Sequence, residues 1–87
     1  TIKPIYSLVP KEALEYIADR FAYGQKRHGK WNWLKGIDDE EYFEDRLNHM
    51  IEHMMNYAET RDKEELKAVL CNGAILATFI ERKKKGK

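Results

Sequence analysis

Trp31 and Trp33 stand among cations and glycines in one stretch, Tyr23 to Gly36, which reads Tyr-Gly-Gln-Lys-Arg-His-Gly-Lys-Trp-Asn-Trp-Leu-Lys-Gly. Flat indole faces beside Lys26, Arg27, Lys30 and Lys35 suit a nucleotide: the base stacks on a ring and the phosphates meet lysine or arginine. Tyr23 adds a further ring and Asn32 an amide. Gly24, Gly29 and Gly36 allow the segment to fold tightly instead of trailing through solvent. The plainer account is that the tryptophans fasten a loop to a small core while the cations face water. For Trp33 alone either account serves. For the whole cluster a ligand site explains more.

A second group of polar residues follows. Arg46 and His49 can close a pocket from a neighbouring helix, and His49 and His53 share the i, i+4 spacing that can chelate a metal. No third ligand is identifiable, so hydrogen bonding or phosphate contact is the better reading of the histidines. Glu41 and Glu44 share a helical face and could hold magnesium together with phosphate oxygens. An acidic first turn that complements the helix dipole explains them equally well. Gly24 to Gly29 has the spacing of a phosphate loop, but the Gly-Lys-Ser/Thr ending and the preceding strand are missing. No serine or cysteine nucleophile is paired with a base.

The periodicity that must position these groups is helical. Residues 1–9 read as an irregular or extended arm, broken by Pro4 and Pro10, which Tyr6, Leu8 and Val9 could pin to the core. Lys3 is a cation on this arm. Helix one is expected over 10–24, starting at Pro10 and stopping at Gly24. Residues 25–37 form the Gly/Trp/Lys-rich loop. Helix two is expected over 38–59, capped by Asp38 or Asp39 and presenting Phe43, Leu47, Met50, Ile51 and Met54. Helix three is expected over 62–82 behind an Asp62/Glu65 capping box. It is apolar nearly all round, so it belongs at the centre of a core or between subunits. Gly73, Ala74 and Ala77 form a small-residue strip that reads as a homo-oligomer interface. Residues 83–87 are a basic tail. The predicted fold is all-α: a compact bundle of three main helices with an arm and one elaborate loop, assembled as a homo-oligomer.

Bulk composition narrows the classes. Eighty-seven residues make one domain, small enough that partner subunits would aid its stability. Lysine and arginine number 16 against 15 acids, a balance that argues against a dedicated duplex-DNA binder. One cysteine, Cys71, excludes an internal disulfide framework and a cysteine-based zinc site. No apolar signal region opens the sequence and no apolar run reaches the ~20 residues that span a bilayer. A soluble, cytoplasmic chain is expected, in the host cytoplasm if phage-encoded.

The sequence resembles the dATP/dGTP diphosphohydrolase N-terminal-domain family, small phage and bacterial proteins akin in concept to MazG-like all-α pyrophosphohydrolases. The resemblance runs over residues 3–60. It rests on Lys3-Pro4-Ile5-Tyr6-Ser7-Leu8-Val9-Pro10, Glu12-Ala13-Leu14, Tyr23 to Gly29, Asn32-Trp33-Leu34-Lys35-Gly36 and an echo from Tyr42 to His49. It implies an oligomeric helical protein that handles purine deoxynucleotides, with a metal ion in active members. The matching positions are Lys3, Tyr23, Lys26, Asn32, Trp33, Lys35 and His49.

The sequence departs from the family after Tyr57. Asn72 is kept, but Glu65 and Ala68 stand where the family's histidines fall. Glu41-Tyr42-Phe43-Glu44 could be the first Glu-x-x-Glu of a MazG-like metal cage, yet helix three offers no second. Stacking faces and cations are retained more fully than a carboxylate cage.

The leading expectation is therefore a homo-oligomer that binds a purine-nucleotide-type ligand without hydrolysing it, with no cofactor. Small phage proteins that sequester nucleotide immune signals are similar in size and helicity. The binding residues would be Lys3, Tyr23, Lys26, Arg27, Lys30, Trp31, Asn32, Trp33, Lys35, Arg46 and His49. One alternative is a magnesium-dependent dNTP pyrophosphohydrolase using Glu41, Glu44, Asp45 and Glu52. Another is a protein-interaction module whose aromatic loop docks a partner.

Overall fold

The last helix lies at the centre because its sequence is apolar on nearly every side, and the other two helices pack on it more than on each other. In the computed structural model, which describes residues 2–86 and side chains through residue 83, a 3-10 turn (Tyr6–Leu8) precedes α1 (Lys11–His28). A second 3-10 helix (Asn32–Gly36) then leads to α2 (Glu40–Thr60) and α3 (Lys63–Gly86). No strand occurs among the described residues. The expected all-α architecture of three principal helices holds.

Every residue classed as buried belongs to α3. Phe79, 1% exposed, sits with Cys71 and Ile75 at the focus of the core. Phe21 reaches this cluster from α1, Trp33, Leu34 and Ile37 from the connection, and Tyr42 and Phe43 from α2. Burial within one chain thus accounts for much of α3's apolar circumference. Gly73 in the small-residue strip leaves room for the Met50 sulfur of α2, 3.7 Å from where a Cβ would stand.

Helix boundaries differ from the sequence expectation, most at the ends of α1 and α3. Helix α1 does not stop at Gly24 but runs one turn further, to His28. An interior glycine costs only about 1 kcal/mol. The Arg27 Nη1 to Tyr23 Oη hydrogen bond (2.7 Å) spans that turn, and Lys26, Arg27 and His28 oppose the helix dipole. The stop is Gly29, at φ 95°, where its N–H donates to the Gln25 carbonyl. The expected loop over 25–37 shrinks accordingly, and Asn32–Gly36 within it is helical. Helix α3 likewise continues past residue 82 to Gly86, with Lys83 paired to Glu40 of α2, so the basic tail is largely helical. Pro10 is the cap residue of α1 and not its first helical one.

The α2–α3 connection is two residues long. Arg61 takes a left-handed conformation (φ 60°) and Asp62 Oδ1 caps the Glu64 N–H (3.0 Å). The reciprocal half of the expected capping box is absent. Glu65 turns instead to His53, and Thr60 Oγ1 accepts the Asp62 N–H. Asp39 is the cap of α2, accepting from the Glu41 and Tyr42 N–H groups. Lys67 ties α3 to α1 through Asp19 (3.0 Å) above the Tyr16 ring. The arm's Tyr6 and Leu8 remain exposed and do not pin it to the core. No described helix is long and apolar enough to cross a membrane.

Gly36 is required by close approach. A Cβ there would fall within the Tyr42 ring, 2.7 Å from Cε2 and nearer still to Cγ and Cδ2. Those atoms lie at the root of the ring, which is packed on Phe79. Gly36→Ala is expected to destabilise the fold by about 1–3 kcal/mol through overpacking, read from the urea midpoint by circular dichroism.

Candidate functional site

Helix α1 carries Arg20, Tyr23 and Arg27 at spacings of three and four, so the three side chains share a face. The Arg20 guanidinium lies 4.5 Å from the Tyr23 ring centroid and that of Arg27 lies 5.5 Å from it. Tyr23 therefore positions two cations. It remains 45% exposed beside them.

The two tryptophans divide their roles. Trp33 is wedged against Phe21 (5.3 Å between centroids) and stacked on Phe79 (6.1 Å, 21° between planes). It is the anchor of the connection. Trp31 has its ring 6.1 Å from Trp33 but remains 56% exposed. Its backbone is left-handed (φ 61°), a conformation that costs a non-glycine residue about 1–2 kcal/mol. Trp31 is the free aromatic platform.

Across from α1, Arg46 of α2 is held by neutral partners. Its Nη2 lies 2.9 Å from His49 Nδ1, its Nη1 donates to Asn72 Oδ1 (3.4 Å), and its guanidinium lies 5.2 Å from the Tyr42 centroid. The Nε of Arg46 is buried with no hydrogen-bond partner. An arginine nitrogen has no acceptor capacity, so Nδ1 of His49 is the acceptor in this contact and its proton is assigned to Nε2. One helical turn on, His53 Nδ1 lies 2.7 Å from Glu65 Oε1 of α3.

These elements enclose a cleft of about 820 Å³ between α1 and α2, floored by α3. That volume lies within the ~300–1,000 Å³ usual for small-ligand sites. Arg20, Arg27, Lys30, Arg46 and Arg82 line it with His28, His49 and His53, and no aspartate or glutamate does among the described residues. The chain has 15 acids against 16 lysines and arginines. Their exclusion from the lining is therefore a spatial sorting of charge, and the cleft suits an anion.

Of the residues expected to bind ligand, the cleft gathers Tyr23, Arg27, Lys30, Trp31, Asn32, Trp33, Arg46 and His49. Lys3, Lys26 and Lys35 are exposed and outside it. Lys26 is exposed outside the cleft although Gln25 and Arg27 on either side of it are in the lining. Lys3 lies on the arm that precedes α1. Sequence reasoning missed Arg20, His28, Tyr42, His53, Asn72 and Arg82 as lining groups. Asn72 did carry a signal: an amide in an apolar run, here 6% exposed.

The alternative metal ligands do not converge. Glu41, Glu44, Asp45 and Glu52 are exposed on α2 and outside the lining, and His49 and His53 are engaged through Nδ1. Among the described residues no group of three or more His, Cys, Asp or Glu could hold a metal. The cleft's donor set does not fit a divalent cation.

Cys71 also borders the cleft, but burial pushes its thiol from 9.0 up to about 11. Because the folded value is the higher one, the buried thiol's contribution to stability is complete below pH 9.0 and is lost as pH rises towards about 11. Native Cys71 is expected to resist iodoacetamide at neutral pH and to react quickly once urea unfolds the chain, which mass spectrometry of the alkylated protein checks.

Comparison with protein families matches residues 1–87 to the one described as dATP/dGTP diphosphohydrolase, N-terminal. No curated protein and no solved structure matches the chain.

Proposed function

Because the chain belongs to the dATP/dGTP diphosphohydrolase N-terminal family, we propose that its cleft binds a purine-nucleotide-type ligand, and that it does so without hydrolysing it. The observation that carries this reading is the lining: five arginines and lysines, three histidines and an exposed indole, with no carboxylate among the described residues. The base stacks on Trp31, and Asn32 reads its edge. The phosphates take charge-assisted hydrogen bonds from Arg20, Arg27 and Lys30 on one wall and Arg46 on the other. Guanidinium is suited to this, since its planar fork matches phosphate oxygens in pairs.

Hydrolysis of a phosphoanhydride asks for more: charge neutralisation by metal and an oriented water. The magnesium that the family's chemistry implies finds no carboxylate pair in the lining of this cleft among the described residues. Retention without turnover suits sequestration of a nucleotide, the role expected of a phage protein that blunts a nucleotide immune signal. The chain acts as a homo-oligomer in this reading. The family description itself favours the competing reading, a dNTP pyrophosphohydrolase drawing on Glu41, Glu44, Asp45 and Glu52 of α2.

A catch-and-release experiment separates the two. The protein is incubated with linear and cyclic purine nucleotides and Mg²⁺, filtered and heat-denatured, and both fractions are run by liquid chromatography. A nucleotide depleted from the filtrate and recovered intact is the expected result. Appearance of a monophosphate would establish the enzyme instead. No depletion and no product would leave the aromatic segment as a docking surface for a protein.

A further inference from the structure

Arg20, Arg27 and Arg46 are held alike. Among the described residues none of them forms a salt bridge. Each is held in place by neutral groups: the Tyr23 ring and hydroxyl for the α1 pair, His49, Asn72 and the Tyr42 ring for Arg46. The α1 pair and Arg46 face one cleft from two helices that pack chiefly on α3 and little on each other. Two like-charged walls repel, and the repulsion is strongest where water is scarce. The buried, unpartnered Nε of Arg46 marks the place where water is scarce.

An anion carrying several charges along its length would relieve both walls at once. Magnesium works against such contacts. It binds through one or two carboxylates together with phosphate oxygens, and this lining supplies no carboxylate. A magnesium-chelated polyphosphate carries less charge and has fewer free oxygens for guanidinium.

Resting on the nucleotide reading of the cleft, we infer that the site takes its ligand as the metal-free polyphosphate, bridging the Arg20–Arg27 pair of α1 to Arg46 of α2, so that divalent metal competes with the protein for the phosphates. The ligand then acts as a strap between α1 and α2. It stabilises the fold as well as occupying it.

Isothermal titration tests this with inorganic tripolyphosphate, orthophosphate and dATP, each in EDTA and in excess Mg²⁺, against the wild type, Arg27→Gln and Arg46→Gln. Tripolyphosphate is expected to bind in EDTA and to weaken when Mg²⁺ is added. Each single substitution should weaken it about 10-fold or more, the loss of one charge-assisted contact. Orthophosphate, with fewer charges and oxygens to share between the walls, should bind more weakly than tripolyphosphate. If Arg46→Gln fails to fold by circular dichroism, Arg46→Lys replaces it and should keep part of the affinity. Tighter binding with Mg²⁺, or tripolyphosphate insensitive to one wall, overturns the inference while dATP binding leaves the nucleotide reading standing. If neither dATP nor tripolyphosphate binds, both fall together.

Discussion

Phe79→Ala is expected to remove about 3–5 kcal/mol of stability, the usual range for truncating a fully buried aromatic ring. A domain of this size has a total stability on the order of 5–10 kcal/mol, so much of its margin would go. Phe79 lies where residues of all three helices meet. It is 1% exposed, stacked on Trp33 of the connection and 5.9 Å from the Tyr42 ring of α2. Through Trp33 it also reaches Phe21 of α1. One ring thus joins all three helices beneath the cleft, and its loss opens a void that none of the three can fill alone. Urea unfolding followed by circular dichroism measures the effect. Phe79→Leu, which fills much of the volume, should lose markedly less. A loss below about 1 kcal/mol for the alanine variant would mean that the aromatic cluster is not the core.

The centrality of α3 was legible in its pattern, because a helix without a polar face must be covered on every side. What covers it was not. The sequence allowed either partner subunits or the other two helices, and Gly73, Ala74 and Ala77 suggested subunits. In the fold Gly73 accommodates Met50 from the same chain, and Ala74 lines the cleft. Periodicity states how much of a helix is apolar; the identity of the neighbour depends on contacts between residues far apart in sequence. The end of α1 was misplaced for a local reason. Gly24 and Gly29 both look like stops, and the difference lies in the Tyr23–Arg27 bond across the intervening turn.

The later end of α1 changes how Lys26 and Arg27 are read. Treating 25–37 as one loop puts Lys26, Arg27, Lys30 and Lys35 on equal terms. Continuing α1 to His28 sorts them: Arg27 joins Arg20 and Tyr23 on the cleft face and Lys26 turns outward. The pairing of residue types, indoles beside cations, was readable from the sequence. The absence of carboxylates from the lining was not, because Glu41, Glu44 and Glu52 lie close in sequence to Arg46 and His49. Only the rotation of α2 about its axis separates the acidic side from the cationic one.

The two tryptophans, alike in sequence, should respond oppositely to substitution. Trp33→Ala should cost about 3 kcal/mol or more, since its ring is packed between Phe21 and Phe79. Trp31→Gly should leave stability unchanged or raise it by about 1 kcal/mol, because glycine adopts φ 61° without the strain that an indole-bearing residue incurs there. Binding should follow the reverse order. Loss of a stacking platform typically removes about 1–3 kcal/mol per base, so Trp31→Gly should weaken nucleotide affinity about 10- to 100-fold in a protein that is otherwise intact. Tryptophan fluorescence separates the residues directly: added nucleotide should quench the exposed Trp31 in the wild type, and the quenching should vanish in Trp31→Gly. Strain retained at an exposed aromatic is a sign that the residue serves something other than the fold. A Trp31→Gly variant that binds as tightly as the wild type would move the base to another ring of the lining, of which Tyr23 is the one that also remains exposed, at 45%.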